Sequence, residues 1–290
     1  MSAVVESSIA DGVALLTLNR PERLNAWTAQ MEREYFDLLE ECGASAEVRA
    51  IVVTGAGRGF CAGADMQDLQ GISDTAAGAD SSAAAANGAG QKRNGAERAP
   101  GQKGDGAGRP ASERRPQTLP LSIPEPILAA INGPCAGIGL VQALMCDLRF
   151  AAEDAKLTTA FARRGLVAEH GISYVLPRLV GPARALDLLL SGRVVLGSEA
   201  AQLGLVNRTL TSDALMDEAL AYARELALRC SPASMATMKR QVYADLERPL
   251  IEALAEADRL MLESFTRPDF AEGVASFVER RDPSFAPVAG

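Results

Sequence analysis

The chain is short of histidine and tryptophan: its 290 residues include one of each, His170 and Trp27. Its five cysteines, Cys42, Cys61, Cys135, Cys146 and Cys230, are scattered, with no CxxC pair among them. An odd number of thiols with a single imidazole argues against a disulfide framework and against a zinc site, leaving reduced, mostly buried thiols, and no metal is expected. Positive charge is in deficit as well, since 29 Lys and Arg against 37 Asp and Glu leave a net charge of −8. Such a field repels polyanions, so no nucleic-acid partner is expected. No apolar run approaches the ~20 residues needed to cross a bilayer, and the start, MSAVVESSIADG, lacks the basic flank and apolar stretch of a signal peptide. A cytoplasmic protein with no membrane partner is expected.

What is present is a 48% apolar composition, enough to bury a substantial core. VALLTLNRP (13–21) is a β-rich run ending in a turn, and TAQMEREYFDLLEECGA (28–44) carries Met31, Tyr35, Leu38, Leu39 and Cys42 at helical spacing. RAIVVTGAG (49–57) is a nearly continuous apolar run of the kind found in a strand covered on both faces. The order strand, helix, strand predicts an α/β layered core. After about Leu205 the chain reads as mostly helical, with three- and four-residue apolar spacing in 212–230 and 247–265. Between these parts, residues 72–118 are Ala, Gly and mixed-charge polar residues almost without large apolar side chains. Such a stretch cannot bury enough surface to offset the entropy of ordering, so a largely disordered insertion is expected.

Two glycine-rich turns follow buried strands and open helices: TGAGRGFCAGAD (54–65) and NGPCAGIGLVQ (132–142). Neither completes the dinucleotide fingerprint, because Phe60 and Gln142 stand where its third glycine belongs. Glycines free backbone N–H groups and helix first turns leave donors unpaired, so two such turns side by side would aim two N–H groups at one oxygen. That is an oxyanion hole; tight turns and close packing alone are the other reading.

LNRPERLNA (18–26), GFCAGAD (59–65), PILAAINGPCAGIGL (126–140), CDLRFAAEDAKL (146–157), RGLVAEHGISYVLPRLVGPARALDLLLSG (164–192) and AAQLGLVN (200–207) together resemble the crotonase, or enoyl-CoA hydratase/isomerase, superfamily. They occur in that family's order and span nearly everything outside the insertion. The resemblance implies an α/β spiral of ββα units over residues 1–204, a helical trimerisation region over 205–290, and a homotrimer or dimer of trimers. It implies an acyl-CoA substrate with no separate cofactor, its thioester carbonyl held by the backbone N–H groups of Ala64 and Ile138 while an enolate forms. Arg23, Ala62, Asp65 and Met66 fall where family members line the CoA path, although Asp65 equally suits a helix N-cap.

The resemblance also implies a departure. The two glutamates of the family's hydratases correspond here to Val141 and Phe161, pocket residues that cannot ionise. Glu169 falls where some family isomerases and aryl-CoA dehalogenases carry a working aspartate, so it is the expected single acid/base, in an apolar setting that would make it a better base. His170 is expected to orient Glu169 or to start a helix rather than to transfer protons. Three functions follow: a hydratase or isomerase, a non-catalytic acyl-CoA-binding protein, or a hydrolase of acyl-CoA or of a cyclic β-diketone in which Glu169 and His170 activate water. The insertion lies where the family architecture covers the acyl pocket.

Overall fold

The structure is a computed structural model that describes residues 3–71 and 115–287. Most of the expected insertion, residues 72–114, therefore lies outside the described residues. β1 (Val5–Ala10) and β2 (Val13–Leu18) form an antiparallel hairpin through Asp11 and Gly12, both left-handed at φ 53° and 77°. Two positive φ values match the twist of a two-residue hairpin turn. α1 (Ala29–Ala44) follows, capped by Thr28, whose Oγ1 accepts the Met31 N–H at 3.2 Å. It buries Met31, Tyr35, Phe36, Leu39 and Cys42; Leu38, expected on that face, is half-buried and Phe36 takes the inner place.

Three long strands then enter the main sheet, and each is followed by a short extended segment in a second layer. β3 (Ala50–Gly55) leads to the bridge residues Cys61 and Ala64 and to helical turns at 66–71. β4 (Ile127–Ile131) leads to β5 (Cys135–Ala136) and α2 (Ile138–Met145). β6 (Leu148–Ala152) leads to β7 (Lys156–Thr158), α3 (Ile172–Val180) and α4 (Pro182–Ser191). β8 (Val195–Leu196), α5 (Gly197–Leu203) and β9 (Arg208–Leu210) close the core. The main sheet runs β1-β2-β3-β4-β6-β9, parallel after the first hairpin, and the second layer runs β5-β7-β8. β3 and β4 are buried at every residue, as their unbroken apolar sequence requires.

The C-terminal part is helical: α6 (Leu215–Arg229), α7 (Pro232–Asp245), α8 (Leu250–Ser264) and α9 (Pro268–Glu279). α6 lies across β2, β3, β4 and β6, and its buried Ala219, Ala223 and Ala227 permit close approach. α7 is fastened through Lys239, whose Nζ reaches Asp147 Oδ2 at 2.7 Å and the carbonyls of Pro120 and Glu125 at 3.1 and 3.0 Å. α8 and α9 leave Leu250, Ile251, Leu262, Phe277 and Val278 exposed. Among the described residues no helix is long and apolar enough to cross a membrane.

Candidate active site

The first glycine-rich turn is shaped by a residue that sequence reasoning passed over. Asn25 is fully buried and left-handed at φ 55°. Its Oδ1 accepts the Arg20 N–H at 2.8 Å, and its Nδ2 donates to the carbonyls of Ala56 and Gly59 at 3.0 and 2.8 Å. The chain then pairs with the second turn, because the Phe60 and Cys61 N–H groups donate to Pro134 O and the Ala136 N–H donates to Cys61 O. An Asn at the end of the polar turn LNRPERLNA was the available signal, since that residue type tolerates αL and closes local turns.

Gly63, at φ 104°, and Gly137, at φ 51°, bring the turns into contact: a Cβ on Gly137 would lie 3.9 Å from Gly63 Cα, and one on Gly63 would lie 3.2 Å from Ala136 O. Gly139 makes the close approach obligatory, because a Cβ there would fall 2.4 Å from Cys61 O. Ala64 and Ile138 follow these bends. Trp27 bridges to the Ala64 strand through its N–H to Gly63 O at 2.8 Å and its carbonyl to the Asp65 N–H at 3.0 Å. Neither pairing uses the Ala64 N–H, and Ile138 is the first residue of α2, where N–H groups have no intrahelical acceptor. The structure thus brings together two adjacent turns in which the Ala64 and Ile138 N–H groups have no backbone acceptor among the described residues, the second at the positive end of a helix.

The expected CoA-path residues divide. Arg23 and Met66 are exposed and Ala62 is half-buried. Asp65 is buried and engaged: its Oδ1 accepts the Gln67 N–H at 3.1 Å as an N-cap, and its Oδ2 meets Arg20 Nη2 at 3.0 Å. Burial would raise this carboxyl, but the Gln67 N–H and the Arg20 guanidinium, with Arg23 beyond, bring it below the usual carboxylate range.

Glu169, His170 and Gly171 form the turn that starts α3, where the Ile172 N–H donates to Glu169 O at 3.1 Å. His170 and Gly171 are both left-handed, at φ 57° and 82°. A Cβ on Gly171 would lie 3.5 Å from both Met145 Cε and Thr118 Cγ2, so the turn sits against the end of α2 and the segment that precedes β4. The Glu169 side chain is 33% exposed, and its Oε2 is 3.5 Å from His170 Nε2. Glu169 is thus partly open to solvent rather than enclosed, while Val141 and Phe161 are buried in the core. The thiols are free. Four of the five are buried, and loss of solvent pushes Cys61 and Cys146 up to about 12 and Cys42 up to about 11.

The return from the insertion is anchored beside this site. Arg115 pairs with Asp37 and Glu40 of α1 at 2.6 and 2.8 Å. Gln117 Nε2 donates to Glu32 at 2.7 Å, and Gln117 Oε1 accepts from Gln142 of α2, also at 2.7 Å.

The family model described as "Enoyl-CoA hydratase/isomerase" matches residues 8–88 and 77–287. A protein of Rhodobacter capsulatus named as a probable enoyl-CoA hydratase is 36% identical over 281 residues, covering 97% of each chain. The 1,2-epoxyphenylacetyl-CoA isomerase of Escherichia coli K12 is 30% identical, covering 98% of this chain and 99% of its own. Among solved structures, an enoyl-CoA hydratase from Bacillus anthracis superposes with a TM-score of 0.80 at 25% identity, covering 98% of this chain and 99% of that one. An enoyl-CoA hydratase from Mycobacterium marinum is 43% identical with a TM-score of 0.65, covering 85% of this chain and 100% of that one.

Proposed function

This chain belongs to the enoyl-CoA hydratase/isomerase family, also called the crotonase superfamily, and on that premise we propose that it acts on an acyl-CoA thioester through an enolate held by the Ala64 and Ile138 N–H groups. The observation that carries the reading is the pair of unpaired donors on touching turns. Each donor of an oxyanion hole contributes on the order of 2.7–4 kcal/mol once the carbonyl oxygen takes up negative charge. Coenzyme A arrives as part of the substrate and runs past Ala62, Met66 and Arg23, while Asp65 keeps that wall in shape through its cap.

Glu169 is the single acid/base. Val141 and Phe161, at the positions where the family's hydratases carry glutamates, offer no ionisable group, so one group must remove the proton and return it. A 1,3-proton shift needs only that: Glu169 takes a proton from one carbon, the two N–H groups hold the dienolate, and the proton goes back at another carbon. The 33% exposure of Glu169 leaves it reachable by substrate, and His170 fixes its rotamer. The apolar faces of α8 and α9, with Leu250 76% and Phe277 84% exposed, support burial between copies in a cytoplasmic homotrimer or dimer of trimers.

The test is to incubate the protein with 2-enoyl, 3-enoyl and aromatic CoA thioesters and follow conversion by mass spectrometry after chromatographic separation of the double-bond isomers. A shifted double bond without added water supports the isomerase; gain of water identifies a hydratase and free acid a hydrolase. Binding without conversion of any ester sinks the catalytic reading and leaves an acyl-CoA-binding protein.

A further inference from the structure

Three separate parts of the candidate site are joined at one half-buried side chain, Gln117, on the segment that leads to β4. Its Nε2 donates to Glu32 Oε2 at 2.7 Å, and Trp27 Nε1 donates to the same oxygen at 3.3 Å. Trp27 is the residue whose N–H and carbonyl pair with Gly63 O and the Asp65 N–H, on either side of Ala64. In the other direction Gln117 Oε1 accepts from Gln142 Nε2 at 2.7 Å, and Gln142 stands one turn beyond Ile138 on the same face of α2. The adjacent Thr118 packs on the turn of Glu169, His170 and Gly171, where a Cβ on Gly171 would lie 3.5 Å from Thr118 Cγ2.

The direction of these bonds is fixed from one end. A carboxylate only accepts, so Gln117 turns its amine to Glu32 and its carbonyl to Gln142, which answers with its own amine. The result is a polar strut from the strand of the first N–H donor to the helix of the second. Packing does not account for it. Gln142 is the one polar side chain of α2, it is 2% exposed, and its Oε1 is enclosed without a partner among the described residues. A leucine would fill that place without a buried, unpaired acceptor. What the amide adds is its bond to Gln117.

We propose that Glu32, Gln117 and Gln142 are positioning residues of the reaction: their hydrogen bonds hold the Ala64 and Ile138 N–H groups at the separation that grips the thioester oxygen, and Gln117 seats the Glu169 turn against them through Thr118. The assignment rests on the acyl-CoA reading of the site. Such a strut matters because a displacement of about 1 Å costs on the order of 10²-fold in rate.

Infrared difference spectra of octanoyl-CoA labelled with carbon-13 at the thioester carbonyl read the two donors without turnover, since a saturated chain has no double bond to move or hydrate. Binding to the full chain should shift the carbonyl stretch to lower frequency. Gln142→Leu and Glu32→Leu should each lose most of that shift, with affinity and Tm near those of the parent. Glu32→Gln keeps a carbonyl oxygen for both Trp27 and Gln117 and should keep the shift. Cutting both ends at once should cost no more than cutting one, because a strut severed once carries nothing. On a converted ester, kcat should fall about 10–10²-fold in the Leu variants with KM little changed. A full shift in both Leu variants overturns the proposal while the acyl-CoA site stands, as does a loss in Glu32→Gln as great as in Glu32→Leu, or losses that add. Should Gln142→Leu fail to fold, the two Glu32 variants, in the half-buried first turn of α1, decide it. Octanoyl-CoA bound to the parent without any shift overturns the paired donors, and failure to bind overturns the acyl-CoA reading; either result takes this assignment with it.

Discussion

Gly139 of α2 rests directly on Cys61: a Cβ there would lie 2.4 Å from the Cys61 carbonyl oxygen and 2.8 Å from its Sγ. This contact, together with that of Gly137 on Gly63, sets how far apart the Ala64 and Ile138 N–H groups stand. Replacing a helical glycine by alanine normally stabilises by about 1 kcal/mol. Here the sign should reverse. Gly139→Ala must push α2 off the Cys61 strand, with a loss of about 1–3 kcal/mol from overpacking. Thermal melts should show the lower Tm, and kcat should fall further than stability alone accounts for, because the two donors no longer converge.

Glu169→Gln should lower kcat by roughly 10²–10⁴-fold, the usual worth of a general acid/base, with little change in acyl-CoA affinity. Single-turnover kinetics with bound substrate separates the two. His170→Ala should cost much less, since its imidazole only touches Glu169 at 3.5 Å. A loss as large as that of Glu169→Gln would make the pair, and not the carboxylate alone, the working unit.

Asn25→Ala should destabilise the chain by about 1–3 kcal/mol, because it strands the Arg20 N–H in a buried turn and releases the carbonyls of Ala56 and Gly59. Chemical denaturation measures that cost. Affinity for acyl-CoA should fall as well, since the slackened segment carries Ala62 and Ala64.

Lys239→Met should be the most damaging of these changes to the fold. The ammonium and Asp147 are mostly shielded, with side chains 8% and 16% exposed, so removing one member approaches the roughly 3–5 kcal/mol cost of breaking a buried pair. Asp147 also accepts the Ile127 N–H at 2.7 Å and the Tyr243 hydroxyl at 2.9 Å, so β4 and α7 should loosen together. Hydrogen exchange should report both.

Glu125 gives a pH dependence of definite sign. Burial raises its carboxyl above the usual range, against the opposing pull of its own backbone N–H and of Lys239, and Oε2 has no hydrogen-bond partner among the described residues. A carboxyl raised in the folded state holds its proton there longer than in the unfolded chain. Its contribution therefore turns against folding as pH rises from the ordinary glutamate value, about 4.3, through the folded one. Glu125→Gln should remove that part of the decline. Melting temperatures across this window should converge at the acid end and separate above it.

Much of the layered core was legible because parallel strands buried on both faces are unbroken apolar runs, as at 50–55 and 127–131, and because α1 shows Met31, Tyr35 and Leu39 at helical spacing. The two glycine turns were legible one by one, but their contact is a property of tertiary structure. Nothing local in Gly63 or Gly137 announces a neighbour more than seventy residues away. The apolar setting expected for Glu169 rested on the apolar residues at Val141 and Phe161; both are buried in the core, while Glu169 remains partly in solvent. Asn25 and Gln142 were missed because polar residues reveal their worth only through partners, and those partners lie at 56–59 and at 117.

The arrangement of the thiols makes the chain its own gauge of opening. Cys42, Cys61, Cys135 and Cys146 are spread through the core, whereas Cys230, at the end of α6, is half-exposed. Alkylation under native conditions should therefore mark Cys230 first. Each further mass increment records an excursion that bares α1, the paired turns or the end of α2, with no label having to be introduced.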